Sequence, residues 1–298
     1  MSEVFNLFMI GLGNGAIYSM IALGLVVIYR STGLLNFAQG EMAMFTTFLV
    51  WTLSELGWPL PLALLGGMVL GFLVGALVHQ VIVRPVGDPH EKPLAVVIVT
   101  IGLYLGIHAL AKLIWGTTDQ DLDKLFGGGQ VDLFGTKVAW QKLGAVFVLG
   151  IEALVFYFIF QKTKIGLAMR AVASNPESAG LVGVPVTKVL MIGWGLAAAL
   201  GAVAGTFLAP SSAVSPNLMQ LALIYGFAAI TLGGFDSFVG AVVGGLTIGV
   251  LTDVLPYFDD NLGDFASKMP LAPAFILILI VLLIRPQGLF GTKRVERV

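Results

Sequence analysis

The sequence predicts an all-α integral membrane protein: a polytopic bundle of about eight or nine transmembrane helices in a single domain over residues 1–298. Three observations predict it. Hydrophobic residues make up 57% of the 298-residue chain and charged residues 11%, against about 25% charged and 45–50% apolar in ordinary soluble domains. Mean hydropathy is +0.95. The apolar residues fall in long continuous runs, without the strict alternation of a membrane barrel.

A bilayer core about 30 Å thick is crossed by about 20 helical residues, because only a helix satisfies its own backbone polar groups in lipid. On that criterion the candidate spans are 5–29, 35–54, 60–83, 94–115, 138–160, 187–209, 218–234, 238–255 and 270–284. The seventh and eighth are short and read as a broken or re-entrant pair, which leaves eight or nine crossings. The run after Val4 is too long for a signal peptide and lacks a basic flank, so it reads as a retained first span.

Charge assigns the sides. Arg30, Arg84, Lys92, Lys162, Lys164, Arg170, Lys188, Arg285, Lys293, Arg294 and Arg297 flank one set of helix ends. Asp119, Asp121, Asp123 and Asp132 occupy one loop at the other set, and Asp259, Asp260 and Asp264 another. Basic loops stay in the cytoplasm. Nine spans then run from an outside N-terminus to an inside C-terminus.

The net charge of −1 and the scattered cations speak against nucleic acid, and with no cysteine the chain has no disulfide or thiolate metal site. It lacks G-x-x-x-x-G-K-[ST], H-E-x-x-H and G-x-S-x-G, and His79, His90 and His108 are scattered. This chain therefore reads as a pore subunit and not an enzyme. Energy for active transport would come from ions or from another chain.

Residues 161–187 are the most informative polar stretch. Ile165, Leu167, Ala168, Ala171 and Val172 predict a short helix continuing from the fifth span. Ser174 or Asn175 can cap a second helix over 176–182, with Pro176 in its first turn, Glu177 at capping-box spacing from Ser174, and Gly183 just past its end. Two readings fit: an ordinary interfacial loop, or a helix that docks in a groove of a cytoplasmic partner.

Glycines spaced as in Gly201/Gly205 and Gly240/Gly244/Gly245 predict close helix packing, with moving hinges the other reading. Asn36, Gln39 and Glu41 open the second span, and Gly233, Gly234, Asp236 and Ser237 lie between the seventh and eighth. Two readings stand for both places. Each is a helix N-terminus at membrane depth, where the positive dipole end favours a carboxylate, or each is a short cytoplasmic hairpin. Glu41 is the leading intramembrane ionisable residue; its other reading is a charge–dipole contact with its own helix. Tyr18, Glu152, His108 and Asp253 are weaker candidates. His79 and Lys112 are expected to snorkel to span ends, and Met42, Met44 and Phe45 to pack.

Several ordered blocks resemble one family. They are Thr163-Lys-x-Gly166-x-Ala168-x-Arg170-Ala171-x-Ala173-x-Asn175, continuing to Ala179 and Gly183-Val184; Gly11 to Tyr29, then Gly33-Leu-Leu-Asn36-Phe37-Ala38-Gln39-Gly40-Glu41; Gly233-Gly234 through Ser237 to Gly244-Gly245; and Arg285-Pro286-x-Gly288-Leu289-Phe290-Gly291. Together they are similar to branched-chain amino acid ABC transporter permeases of the LivH type. One departure is Gln39, where the family commonly has His; Gln keeps hydrogen-bonding capacity but does not titrate.

The resemblance implies an importer subunit in the bacterial cytoplasmic (inner) membrane. A second permease, paralogue or copy, would complete the pore, and two cytoplasmic ATPase subunits would use ATP and Mg, with no cofactor in this chain. A periplasmic or extracytoplasmic binding protein would deliver a branched-chain amino acid or a related amino acid, amide or urea. The coupling loop at about 161–187 would include Gly166, Arg170, Ser174, Asn175, Glu177, Ala179, Leu181 and Gly183. The path would include Tyr18, Asn36, Gln39, Glu41, Gly234 and Ser237. An ion-coupled secondary transporter using Glu41 and Glu152 is the alternative, and dependence on ATP or on an ion gradient separates the two. A passive channel lacks an obvious filter.

Overall fold

A computed structural model describes residues 2–87, 91–133, 135–258 and 265–292. His90, Asp259, Asp260, Asp264, Lys293, Arg294 and Arg297 lie outside the described residues. Each of the nine apolar runs is a helix. In chain order these are α1 (Ser2–Thr32), α2 (Gln39–Glu55), α3 (Leu60–Val78), α4 (Pro93–Trp115), α5 (Trp140–Lys162), α8 (Val186–Ser212), α9 (Gln220–Gly233), α10 (Phe238–Val254) and α12 (Ala272–Ile284). Between them lie α6 (Lys164–Ser174), α7 (Pro176–Leu181), α11 (Phe265–Lys268) and a hairpin of β1 (Gln130–Leu133) and β2 (Thr136–Ala139).

Six helical segments are long and apolar enough to cross a membrane: Glu3–Thr32, Leu60–Val86, Pro93–Trp115, Trp140–Lys162, Val186–Ser212 and Phe238–Phe258. The eighth run therefore has crossing length once Leu255–Phe258 continues α10 as a 3-10 turn. The short helices are α2, α9 and α12, with 17, 14 and 13 residues. At about 1.5 Å per residue they measure about 26, 21 and 20 Å, less than a bilayer core.

Two helices form the centre. The apolar windows of α1 and α8 are each 78% buried, against 28–33% for those of α3, α4, α5 and α10. The cause is residue size. A Cβ added at Gly15 would lie 2.8 Å from the Gly245 carbonyl, and one at Gly11 2.7 Å from Val250 Cα, so α1 and α10 touch backbone to backbone. Gly195 of α8 seats against Phe72 of α3, and Gly201 against Ala43 of α2. These are the close approaches that small residues permit in lipid, where association rests on packing instead of water exclusion. Gly201, Gly205, Gly240, Gly244 and Gly245 all meet a neighbouring helix in this way. Ser19, Thr46, Thr47 and Thr206 are buried and donate to carbonyls of their own helices, so they leave no unpaired hydroxyl.

The basic ends converge. Arg30, at the end of α1, lies over the rings of Phe238 (4.9 Å) and Phe160 (5.9 Å), which brings the start of α10 and the end of α5 to the same level. The segment after α12 joins them: Leu289 N and Phe290 N donate to the last carbonyls of α9, Leu232 and Gly233, at 2.9 Å each. At the opposite end, Gln120 of the acidic loop pairs with Val214 just after α8.

Replacing Gly15 with Ala forces apart a backbone contact, and overpacking of this kind costs about 1–3 kcal/mol. Gly102 has nothing within 4 Å of an added Cβ. Thermal unfolding of the purified protein is expected to show a lower Tm for Gly15→Ala and an unchanged one for Gly102→Ala.

Candidate functional site

The residues 33–38 turn back into the bundle. Asn36 is buried, and its Oδ1 accepts from Ala38 N at 3.0 Å; the Asx turn stands in for backbone pairing. Gln39 then begins α2 beside the middle of its neighbours. Its Nε2 donates to the Ala197 carbonyl inside α8 at 3.0 Å. A Cβ on Gly24, within α1, would meet the same Nε2 at 2.6 Å. The N-terminus of α2 thus lies inside the bundle, between Gly24 of α1 and Ala197 of α8, and no side chain caps it.

The chain repeats the manoeuvre from the other side. After α8, residues 214–216 are buried, and Met219 Cε comes within 2.9 Å of a Cβ placed on Gly205. No side chain caps α9 either. The two short helices meet where Gly40 faces Leu223, whose Cδ2 is 2.9 Å from an added Cβ. From there α2 runs toward the acidic end and α9 toward the basic end. A cleft of about 310 Å³ opens at the junction, lined by Gly40, Glu41, Tyr104, Met219, Gln220, Leu223 and Ile224.

Glu41 is buried, and its Oε2 pairs with His108 Nδ1 of α4 at 3.0 Å. Tyr104 stacks on the His108 ring with centroids 6.3 Å apart. The cleft therefore combines two uncapped helix starts, one paired carboxylate and an apolar wall. It can hold an amphipathic zwitterion: helix N-termini favour a carboxylate, and Glu41 favours an ammonium.

The other predicted path residues lie elsewhere. Gly234 (φ +109°) ends α9 and packs against Gln287 and Gly291, while Ser237 caps α10 by accepting from Gly240 N at 2.9 Å. Both belong to the turn at the basic end, level with Arg30. Tyr18 packs against Tyr225 in a tilted pair, ring centroids 4.7 Å apart, beside the smaller core cluster between α9, α10 and α12 and apart from the cleft. His79 does not snorkel: it is 2% exposed. Lys112 is exposed.

Two polar groupings were missed by sequence reasoning. One is the pairing of Glu41 with His108 across 67 positions. The other is a chain of three near the acidic end: Asn14 Nδ2 donates to Asp253 at 2.7 Å, and Lys142 Nζ donates to Asn14 Oδ1. No spacing in the sequence signals either. Both carboxylate oxygens of Glu152 are buried without a hydrogen-bond partner among the described residues.

At the basic end, α5 breaks at Thr163, whose hydroxyl accepts from Gly166 N at 3.2 Å and caps α6. Gly166 lies directly on the backbone of Ile159 and Phe160, so the new helix folds against the end of α5. Arg170 donates to Gln161 Oε1 at 3.4 Å. Asn175, not Ser174, caps α7, accepting from Ser178 N at 2.8 Å. Ser174 ends α6, so the expected capping box with Glu177 does not form. Gly183 (φ +87°) follows α7, and Val184 N closes the turn on the Ala179 carbonyl at 2.9 Å. Ala179 is buried and seats α7 on the bundle. Leu181 and Val182 point outward, 84% and 79% exposed. Glu177 is exposed beside them.

The chain is similar to known proteins along nearly its whole length. Residues 7–284 match the family described as branched-chain amino acid transport system, permease component. The chain is 28% identical over 313 residues to the high-affinity branched-chain amino acid transport system permease protein LivH of Escherichia coli, covering 100% of this chain and 97% of that one. It is 28% identical over 304 residues to BraD, a permease protein of the same description from Pseudomonas aeruginosa, covering 97% and 96%. It is 24% identical over 293 residues to the ribose import permease protein RbsC of Haemophilus influenzae, covering 94% and 84%.

The contact between Glu41 and His108 is testable by a double-mutant cycle. Contacting residues in such a cycle couple by about 0.5–3 kcal/mol. Glu41→Gln and His108→Gln are each expected to lower thermal stability, and the double variant to lose less than the sum; additive losses would show that the pair is not formed. With its six crossing-length helices and a family match over nearly its whole length, the chain is a multi-pass membrane protein of the branched-chain amino acid transport permease family.

Proposed function

We propose that this chain is a pore-forming permease subunit of an ABC importer in the bacterial inner membrane, carrying branched-chain or related amino acids. The family match and the LivH and BraD relatives support the substrate class. Nine crossings are assigned, with the irregular segments 33–38 and 213–219 making up the missing lengths of α2 and α9. Irregular backbone at that depth is tolerated where it is enclosed in protein or lines a cavity. A second permease, paralogue or copy, completes the path. ATP and Mg act on two cytoplasmic ATPase subunits, and an extracytoplasmic binding protein delivers substrate.

The observation that carries the division of labour is the outer face of α7. Leu181 and Val182 are the exposed tip of a helix whose Ala179 is buried, on a segment that also exposes Ile165 and Leu167 on α6 and carries Lys162, Lys164 and Lys188 at its two ends. An apolar tip on a basic segment, at the basic end of the bundle, suits insertion into a groove on a soluble partner. In the path, the cleft between α2 and α9 would orient the substrate with its carboxylate toward the helix starts and its ammonium toward Glu41. Its branched side chain would then lie against Met219, Leu223 and Ile224.

Leu181→Asp is expected to leave the Tm of the chain unchanged while ATPase subunits no longer co-purify and ATP-driven leucine uptake into proteoliposomes falls at least about tenfold, the loss of roughly 1.4 kcal/mol of coupling or more. Ala179→Asp is expected to lower the Tm as well, because it buries a charge under α7. Uptake that persists without ATP and collapses with an ion gradient would overturn the assignment.

A further inference from the structure

A separate, partly open cavity lies beside the start of α7, away from the cleft between α2 and α9. It measures about 250 Å³ and is walled by Ser31 and Thr32 at the end of α1, His79 and Arg84 beyond α3, Pro176 at the start of α7, and Thr187 on α8. Its size suits a small metabolite or a headgroup, below the range of about 300–1,000 Å³ typical of larger ligands.

We infer that this cavity is a binding site for a small anion, a carboxylate or phosphate group, seated between His79 and Arg84. The strongest observation is a buried ring nitrogen without a partner. His79 is 2% exposed, and its Nδ1 has no hydrogen-bond partner among the described residues. Beside it, at 6.2 Å between ring centroids, Trp194 is buried and its indole Nε1 is also unpartnered. Buried polar atoms left without partners are uncommon and costly. In the tautomer that carries its hydrogen on Nδ1, His79 would gain its missing partner from an acceptor entering the cavity.

The local backbone is arranged for this. After α3 the helix widens into a π turn over His79–Val83, tightens into a 3-10 turn over Arg84–Val86, and stops at Gly87 with φ +116°. A π turn inside a helix redirects side chains and recurs at functional positions. Here the change of pitch places His79 and Arg84 on one cavity wall. The guanidinium provides charge and a planar fork for an oxyanion. Ser31 and Thr32 donate to the Ile28 carbonyl, at 2.8 and 2.9 Å. Their hydroxyls are thereby committed as donors, which leaves the Thr187 hydroxyl beside His79 and Arg84 as side-chain donors for the anion.

The site adjoins α7, and its relevance to coupling rests on the docking role proposed above; the binding itself does not. The shared chemistry has two sources, a soluble anion such as the carboxylate of the carried amino acid or inorganic phosphate, or the headgroup of an anionic lipid, which zwitterionic phosphatidylcholine does not supply. The test uses the assembled transporter in phosphatidylcholine nanodiscs, with tryptophan fluorescence followed during titration with L-leucine and, separately, with inorganic phosphate. A saturable change is expected from at least one, with the apparent affinity at least tenfold weaker in both Arg84→Gln and His79→Phe. Because Arg84 is exposed, Arg84→Gln is expected to assemble normally even if His79→Phe does not. Repeating the titration in phosphatidylglycerol nanodiscs separates the sources: loss of the response there assigns the site to a headgroup, and its persistence to a soluble anion. No response to either probe in phosphatidylcholine, or a response unchanged by Arg84→Gln, would overturn the inference, whether or not ATPase subunits dock on α7.

Discussion

Two helices in this protein begin inside the bundle, and their exposed backbone has to be enclosed by protein. In lipid, an unpaired N–H or C=O costs several kcal/mol. The starts of α2 and α9 are therefore possible only because α1 and α8 surround them. Gln39 reaches the Ala197 carbonyl, Asn36 folds its own turn, and Met219 packs at Gly205. The glycine and alanine content of α1 and α8 follows from the same need, since larger residues would hold these backbones too far apart to close around the breaks.

The same constraint divides the molecule by function. Polar chemistry concentrates where the helices are interrupted: at Glu41, His108 and Tyr104 around the junction of α2 and α9, and at His79 and Arg84 where α3 changes pitch. The basic end is built for rigidity. Leu289 and Phe290 cap α9, Ser237 caps α10, and Gly166 presses α6 onto α5. On that platform the tip of α7 is exposed at Leu181 and Val182 while Ala179 beneath it is buried.

Much of the fold was legible because a span in lipid is written as a long apolar run. All nine runs are helices, and the side assignment agrees with the meeting of Arg30, Phe160, Phe238 and the segment after α12. Local punctuation was also readable: Pro176 and Gly183 bracket α7 as expected. Two kinds of detail were not. The choice between Ser174 and Asn175 as the cap turns on a backbone bend at one residue, for which both side chains are suitable. Depth is the other. Gln39 and Ser237 both stand at a helix start after a turn, but only the first is drawn inward, and the difference lies in partners such as Gly24 and Ala197 that sequence spacing does not connect. For the same reason Glu41 was identifiable and its link to His108 was not.

The central claim is that α2 and α9 start against each other in the middle of the membrane and form the constriction of the path. The chain contains no cysteine, so the paired substitution Gly40→Cys with Leu223→Cys gives a clean crosslinking test in the assembled transporter. The account predicts a disulfide on mild oxidation, loss of leucine uptake while it is closed, and recovery on reduction. Absence of the crosslink, or full uptake with the crosslink formed, would contradict it.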